Sequence, residues 1–135
     1  DKDVKRLVIC SGKVFYDLFE AREKNKLFNI KILRLEQIYP FPIKSLQEFI
    51  SKSPQAEIIW CQEEPENMGS WSFIDRRLEK VLIDCNCKYK RPVYVGRPEA
   101  ASPATGTMSR HLKEQKLLVN QALGLEKINT ASAAE

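Results

Sequence analysis

The chain has one histidine and five glycines in 135 residues. A lone histidine, at 111, leaves no cysteine–histidine set of the usual zinc spacing and no partner for a histidine-based relay. The glycines fall neither in G-x-G-x-x-G nor in a Walker loop, so the common phosphate cradles are not written here. No apolar run is long enough to cross a bilayer, and the opening DKDVKR is no signal peptide. Charge of one sign is missing as well. Twenty-two Lys and Arg against 18 Asp and Glu leave +4, interspersed and without a basic stripe carrying aromatics. Neither nucleic acid nor a membrane is an expected partner. The four cysteines lack the spacing of a disulfide framework. Cys10 and Cys61 end apolar runs and read as small buried hydrophobes, while Cys85 and Cys87 form a C-x-C. A reducing compartment, the cytoplasm or a mitochondrial matrix, is the expectation.

What is present is an alternation of short apolar runs and amphipathic stretches. Residues 4–10, VKRLVIC, read as a first strand. Ser11 is expected to cap a helix running to about Lys24, with Val14, Phe15, Leu18, Phe19 and Ala21 inward. Residues 29–37 alternate as a second strand and end in the rigid turn Tyr39-Pro40-Phe41-Pro42. Ile43, Leu46, Phe49 and Ile50 mark the inner face of the next helix. A third strand covers 56–61. The acidic loop 60–71, WCQEEPENMGSW, leads from its end to a helix with Trp71, Ile74, Leu78, Val81 and Leu82 inward. A polar loop, 84–90, precedes a fourth strand at 92–96. An irregular loop, 96–106, precedes a last helix to Leu123 with Leu112, Val119, Ala122 and Leu123 inward and Gly124 as its cap. The order β-α-β-α-β-α-β-α implies a mainly parallel sheet with helices on both faces, a three-layer α/β/α sandwich. One domain is expected over 1–124, with 125–135 as a frayed tail.

Few residues carry obvious chemistry. In open parallel sheets, function gathers where strands deliver their carboxyl ends, which directs attention to the acidic loop. Glu63 and Glu64 are adjacent, so in extended chain they point to opposite sides and cannot share a proton. By spacing alone the plainer reading of the connection is structural, with Gly69 and Pro65 only shaping the turn. Lys13 sits in a first helical turn, where the dipole disfavours a cation. That hints at a nearby anion, against the plainer reading of a side chain reaching to water. Lys88, Lys90 and Arg91 read as phosphate binders or as a solvated loop. Arg76, Arg77, Glu79 and Lys80 are expected on a solvated helix face. His111 has no local partner and suits a half-buried or interface position. No set of residues amounts to a complete catalyst.

Two blocks, WCQEEPENMGSW and VGRPEAASPATG followed by SRHLKEQKLLVNQAL, resemble the end of the 2-oxoglutarate dehydrogenase E1 component. CSGKVFYDLFEAR and RLEQIYPFP are similar to it in the same order. The resemblance spans residues 4 to about 124 and implies a transketolase C-terminal-like domain. It implies a parent enzyme of the tricarboxylic acid cycle that uses thiamine diphosphate and Mg2+. That enzyme decarboxylates 2-oxoglutarate and passes succinyl to the lipoyl group of E2, the dihydrolipoyl succinyltransferase. Cofactor and metal would lie in other E1 domains, so none is expected on this chain, which alone should be inactive. The domain would support a homodimer and border the active site or an effector site. Residues expected at such an effector site or interface are Lys13, Tyr39, Phe41, Glu63, Glu64, Met68, Trp71, Arg97, Ser102, Thr105 and His111. The same domain of another 2-oxoacid dehydrogenase or transketolase stays open here. So does a free-standing regulatory module binding a nucleotide or coenzyme A.

Overall fold

The computed structural model describes residues 2–99 and 107–128. Eight elements follow in strict alternation: β1 (Arg6–Cys10), α1 (Val14–Lys24), β2 (Ile30–Arg34), α2 (Ile43–Ser51), β3 (Glu57–Pro65), α3 (Trp71–Asp84), β4 (Val93–Arg97) and α4 (Met108–Ala122). The strands form one parallel sheet in the order β2-β1-β3-β4.

Side-chain alternation along the two central strands builds the three layers. Leu7, Ile9, Ile58 and Trp60 face a core completed by Leu46 and Ile50 of α2 and Ile74, Leu78 and Leu82 of α3. Val8, Cys10, Ile59 and Cys61 face the opposite core, with Val14 and Leu18 of α1 and Leu118, Val119 and Ala122 of α4. Both central strands are buried on both sides, as parallel sheets require. The crossover from β1 runs outward to β2, and the chain then returns past β1 to β3. With crossovers of one hand the helices must change faces at that reversal, and the two clusters show that they do. The carboxyl ends of β1 and β3, adjacent in the sheet, are therefore the topological switch point.

Some sequence expectations shift. Ser11 does not cap α1. Gly12, at φ +81°, makes the turn, and Lys13 is the N-cap without a side-chain hydrogen bond. β3 does not stop at Cys61 but continues, with a register shift, to Pro65, which stands opposite Arg97. The carboxyl half of the strand is polar in sequence yet remains covered by α4 and β4, so the edge of the apolar run is not the edge of the strand. Phe19 and Ile43, expected inward, are largely exposed. Leu112 is 61% exposed and lines an open groove between α1 and α4. Only the second half of α4 lies over the sheet, where Leu118 takes the inner place. Gly124, at φ +76°, closes α4 as expected, and Leu125 N donates to Asn120 O at 2.8 Å. Beyond it, Gln121 Nε2 donates to Lys127 O at 3.1 Å and Ile128 packs on the core. The rest of the tail, residues 129–135, lies outside the described residues. Among the described residues no helix is long and apolar enough to cross a membrane.

Candidate functional site at the carboxyl edge

The acidic connection after β3 is organised by Gln62, a residue the sequence reading passed over. Its side chain is buried, at 2% exposure. Gln62 Oε1 accepts from Trp60 Nε1 at 2.9 Å and from the backbone N–H of Trp71 at 3.2 Å. Gln62 Nε2 donates toward three carbonyls, Pro65 O at 2.9 Å, Met68 O at 2.9 Å and Glu64 O at 3.2 Å. One amide thus ties both ends of the connection and its middle together. Buried loop backbone needs such partners, because no water is there to supply them. Gly69 adopts φ +69°, and a Cβ there would come within 3.1 Å of Glu64 Cβ. Trp71 packs its half-buried ring against the core at 5.5 Å from Tyr94. Tyr94 in turn donates its hydroxyl to Arg97 O at 2.6 Å, with Glu64 O at 3.1 Å. Burial first, then the Glu66 carboxylate, pushes the Tyr94 phenol well above its ordinary value.

Glu63 and Glu64 do point apart: Glu64 is exposed, whereas Glu63 turns inward across the switch point. Glu63 Oε1 lies 3.6 Å from Lys13 Nζ and accepts from Gln115 Nε2 at 2.8 Å. Both readings of Lys13 hold in part: its side chain reaches out, 79% exposed, and the anion near it is a carboxylate of the protein itself. Gln115 also donates to Asp17 Oδ2 at 2.8 Å, linking α1 to α4.

Arg97, 6% exposed at the end of β4, is the hub on the other side. Its guanidinium donates to Glu63 O through one terminal nitrogen. The other faces Gln115 Oε1 at 3.2 Å and His111 Nδ1 at 3.3 Å. Because arginine can only donate, Nδ1 of His111 is the acceptor in this contact. Glu114 Oε2 stands 3.9 Å from both Arg97 Nε and Arg110 Nε. The network thus joins Lys13, Asp17, Glu63, Arg97, Arg110, His111, Glu114 and Gln115. Three cations face three carboxylates in it. Self-neutralised and cross-linked, it fixes the ends of β1, β3 and β4 to α4 and offers no free acid–base pair. His111 therefore has a partner, but one 14 positions away in the sequence.

The other expected residues lie elsewhere. Tyr39 is 78% exposed and meets Phe73 edge-on at 6.2 Å; Phe41 is half-buried against the same ring. Met68 is half-buried, with its carbonyl held by Gln62. Tyr39 and Phe41 share the Phe73 ring, Met68 lies within the acidic connection, and none of the three belongs to the network. Ser102 and Thr105 lie outside the described residues. Arg91, offered as a phosphate ligand, is engaged by Asp75 at 2.7 Å and Glu79 at 3.0 Å. Glu79 consequently leaves the solvated helix face, and hydrogen bonding from Arg76 chiefly, then Arg91, holds its carboxyl below the ordinary value.

A parallel sheet sandwiched by α1 and α4 on one side and α2 and α3 on the other, with a built polar edge at its switch point, defines a transketolase C-terminal-like domain. A split-gene transketolase, described as an inactive β4 tetramer, shares this fold. It superposes with a TM-score of 0.58 at 16% identity, over 92% of this chain and 41% of that one. Residues 1–123 match the family described as 2-oxoglutarate dehydrogenase C-terminal. The 2-oxoglutarate dehydrogenase E1 components of Brucella anthropi and Brucella ovis are each 53% identical over 124 residues, 92% of this chain. The chain belongs to the 2-oxoglutarate dehydrogenase C-terminal family. It spans 12% of the length of those relatives.

Proposed function

We propose that the chain works as the carboxyl-terminal domain of a thiamine-diphosphate-dependent 2-oxoglutarate dehydrogenase E1. The parent would decarboxylate 2-oxoglutarate and transfer the succinyl group to the lipoyl group of E2 dihydrolipoyl succinyltransferase. This domain would support the homodimer and border the active site or an effector site. The observation that carries the reading is the 53% identity to named E1 components over 92% of the chain. The built edge supports it: buried glutamine and arginine hubs hold loops in fixed form where a partner surface needs a firm wall. Among the described residues, no three His, Cys, Asp or Glu side chains stand close enough to hold a metal ion. We infer that the thiamine diphosphate and its magnesium are held by other domains of the parent.

Calorimetry tests the division of labour. The chain titrated with thiamine diphosphate and Mg2+ is expected to give no saturable heat. The full-length parent is expected to bind both and, with E2 and its dehydrogenase partner, to reduce NAD on 2-oxoglutarate. Saturable cofactor binding by the chain alone, or an unaltered parent after deletion of this domain, would overturn the reading.

A further inference from the structure

The four cysteines fall into two pairs that differ in access. Cys10 and Cys61 are register partners on β1 and β3 and are fully buried. Burial pushes both thiols up, Cys10 to about 12. Cys85 and Cys87 sit instead at the end of α3. Cys85 is its C-cap and is partly exposed, whereas Cys87 is buried. The helix closes in a Schellman turn. Asn86 N donates to Ile83 O at 3.0 Å, Cys87 N donates to Leu82 O at 3.1 Å, and Asn86 adopts φ +55°. This left-handed residue folds the chain back on the helix end, so the cysteines flanking it turn to one side. Cys87 lies inside the α2/α3 core cluster and Cys85 packs against the same cluster. Ser51 Oγ, at the end of α2, donates to Cys85 Sγ at 3.6 Å, which holds the accessible thiol at the helix end.

We propose that Cys85 and Cys87 form a dithiol site that exchanges with low-molecular-weight disulfides and closes into an intramolecular disulfide. Cys85 reacts first because it is the accessible thiol. Its thiolate attacks one sulfur of the reagent. A Cys85–reagent S–S bond forms, the reagent's own S–S bond breaks, and one half leaves as a thiolate that takes up the proton Cys85 released. Cys87 then gives its proton to solvent and attacks the Cys85 sulfur. The Cys85–Cys87 bond forms and the second half of the reagent leaves as a thiol. Two protein thiols are oxidised and one small disulfide is reduced to two thiols. The order is self-assisting. Burial first, then the neighbouring Cys85, raises the Cys87 thiol, with Lys90 acting the other way. Capping Cys85 removes its charge when the second step needs the Cys87 thiolate.

Glutathione disulfide is the probe. The native chain is incubated with it at mildly alkaline pH, quenched by alkylation and read by intact mass and peptide mapping. The wild type is expected to lose two hydrogens, with the link inside the peptide of residues 81–88. Cys87→Ala is expected to stop with one glutathionyl group on Cys85, and Cys85→Ser to stay unmodified. Cys10 and Cys61 should alkylate only after denaturation. If Cys87→Ala fails to fold by circular dichroism, Cys85→Ser, altered at the surface, carries the comparison. An unmodified wild type, a wild type that retains glutathione on Cys85, or a disulfide involving Cys10 or Cys61 would overturn the proposal.

Discussion

Replacing Gln62 by Met keeps the length and volume of the side chain and removes its polar end. Five groups then lose a partner: Trp60 Nε1, Trp71 N, and the carbonyls of Glu64, Pro65 and Met68. They are not equal. Trp60 is fully buried, and the bonds to it and to Pro65 O are buried ones, so those two groups have no water to turn to. The other three bonds are partly exposed, and their groups can be rehydrated at small cost. Pro65 O keeps the Met68 N–H at 2.9 Å, so Trp60 Nε1 is the buried group left unsatisfied, and at about 1–3 kcal/mol for such a group the expected loss is about 1–3 kcal/mol. That is a large share of the about 5–15 kcal/mol typical of a domain. Urea unfolding followed by tryptophan fluorescence measures it, since Trp60 and Trp71 both report on the connection. The midpoint should fall while the slope with urea stays constant. Gln62→Glu should be worse at neutral pH, because a carboxylate would face three carbonyl oxygens, and should recover as acid protonates it. A Met variant within about 0.5 kcal/mol of wild type, the usual scatter of neutral surface changes, would refute the assignment of Gln62 as the hub.

Gly96→Ala should prevent folding or shift the end of β4: its Cβ would lie 2.5 Å from the Tyr94 hydroxyl and 2.7 Å from the backbone oxygen of Gln62. Expression and circular dichroism decide, and a wild-type melting curve would count against that packing. The Cys10 thiol is raised from 9.0 to about 12 in the folded chain, so above pH 9 the unfolded chain loses that proton first. Stability from this group is complete below pH 9 and declines as pH rises toward 12. Cys10→Ala should therefore flatten the alkaline fall in stability even while lowering stability at pH 7, and an unchanged slope would contradict the sign. For association, Tyr39 and Met68 are the residues to change. We expect weak self-association by sedimentation equilibrium that Tyr39→Glu and Met68→Glu abolish without lowering the melting temperature. A strictly monomeric wild type would remove these side chains from any interface.

The layers were legible because each strand writes them in alternate letters. Leu7 and Ile9 against Val8 and Cys10, and Ile58 and Trp60 against Ile59 and Cys61, assign both faces before any contact is known. Helices gave less. Leu112 has the right spacing for an inward stripe, but spacing says nothing about how far a helix overhangs its sheet, and α4 overhangs by its first two turns. The end of β3 was hidden for a related reason. Gln62 and Glu63 look like loop residues because burial was inferred from apolarity, and both are covered through hydrogen bonds instead. One signal was available for Gln62: an amide between two tryptophans, one of whose indole N–H groups must find an acceptor if its strand is buried.

The pairings within the polar edge could not be read from local sequence, and its geometry says why. Its members come from the ends of β3 and β4, from the start of α1 and from the first two turns of α4, segments up to 98 positions apart in the Gln115–Asp17 bond. Parallel topology delivers every strand's carboxyl end to one edge, so residues remote in sequence meet there as a consequence of the fold class alone. Their pairing is a matter of charge balance. Lys13 breaks the dipole rule at the start of α1, and the compensating carboxylate is Glu63, on the neighbouring strand. Arg97 is buried, and a buried guanidinium without acceptors would be costly, so α4 must bring His111 and Gln115 to it, with the Glu114 carboxylate 3.9 Å from its Nε. The local misfit at Lys13 was the visible end of that network. In a chain of this class such misfits are places to look for a partner across the switch point before looking for a ligand.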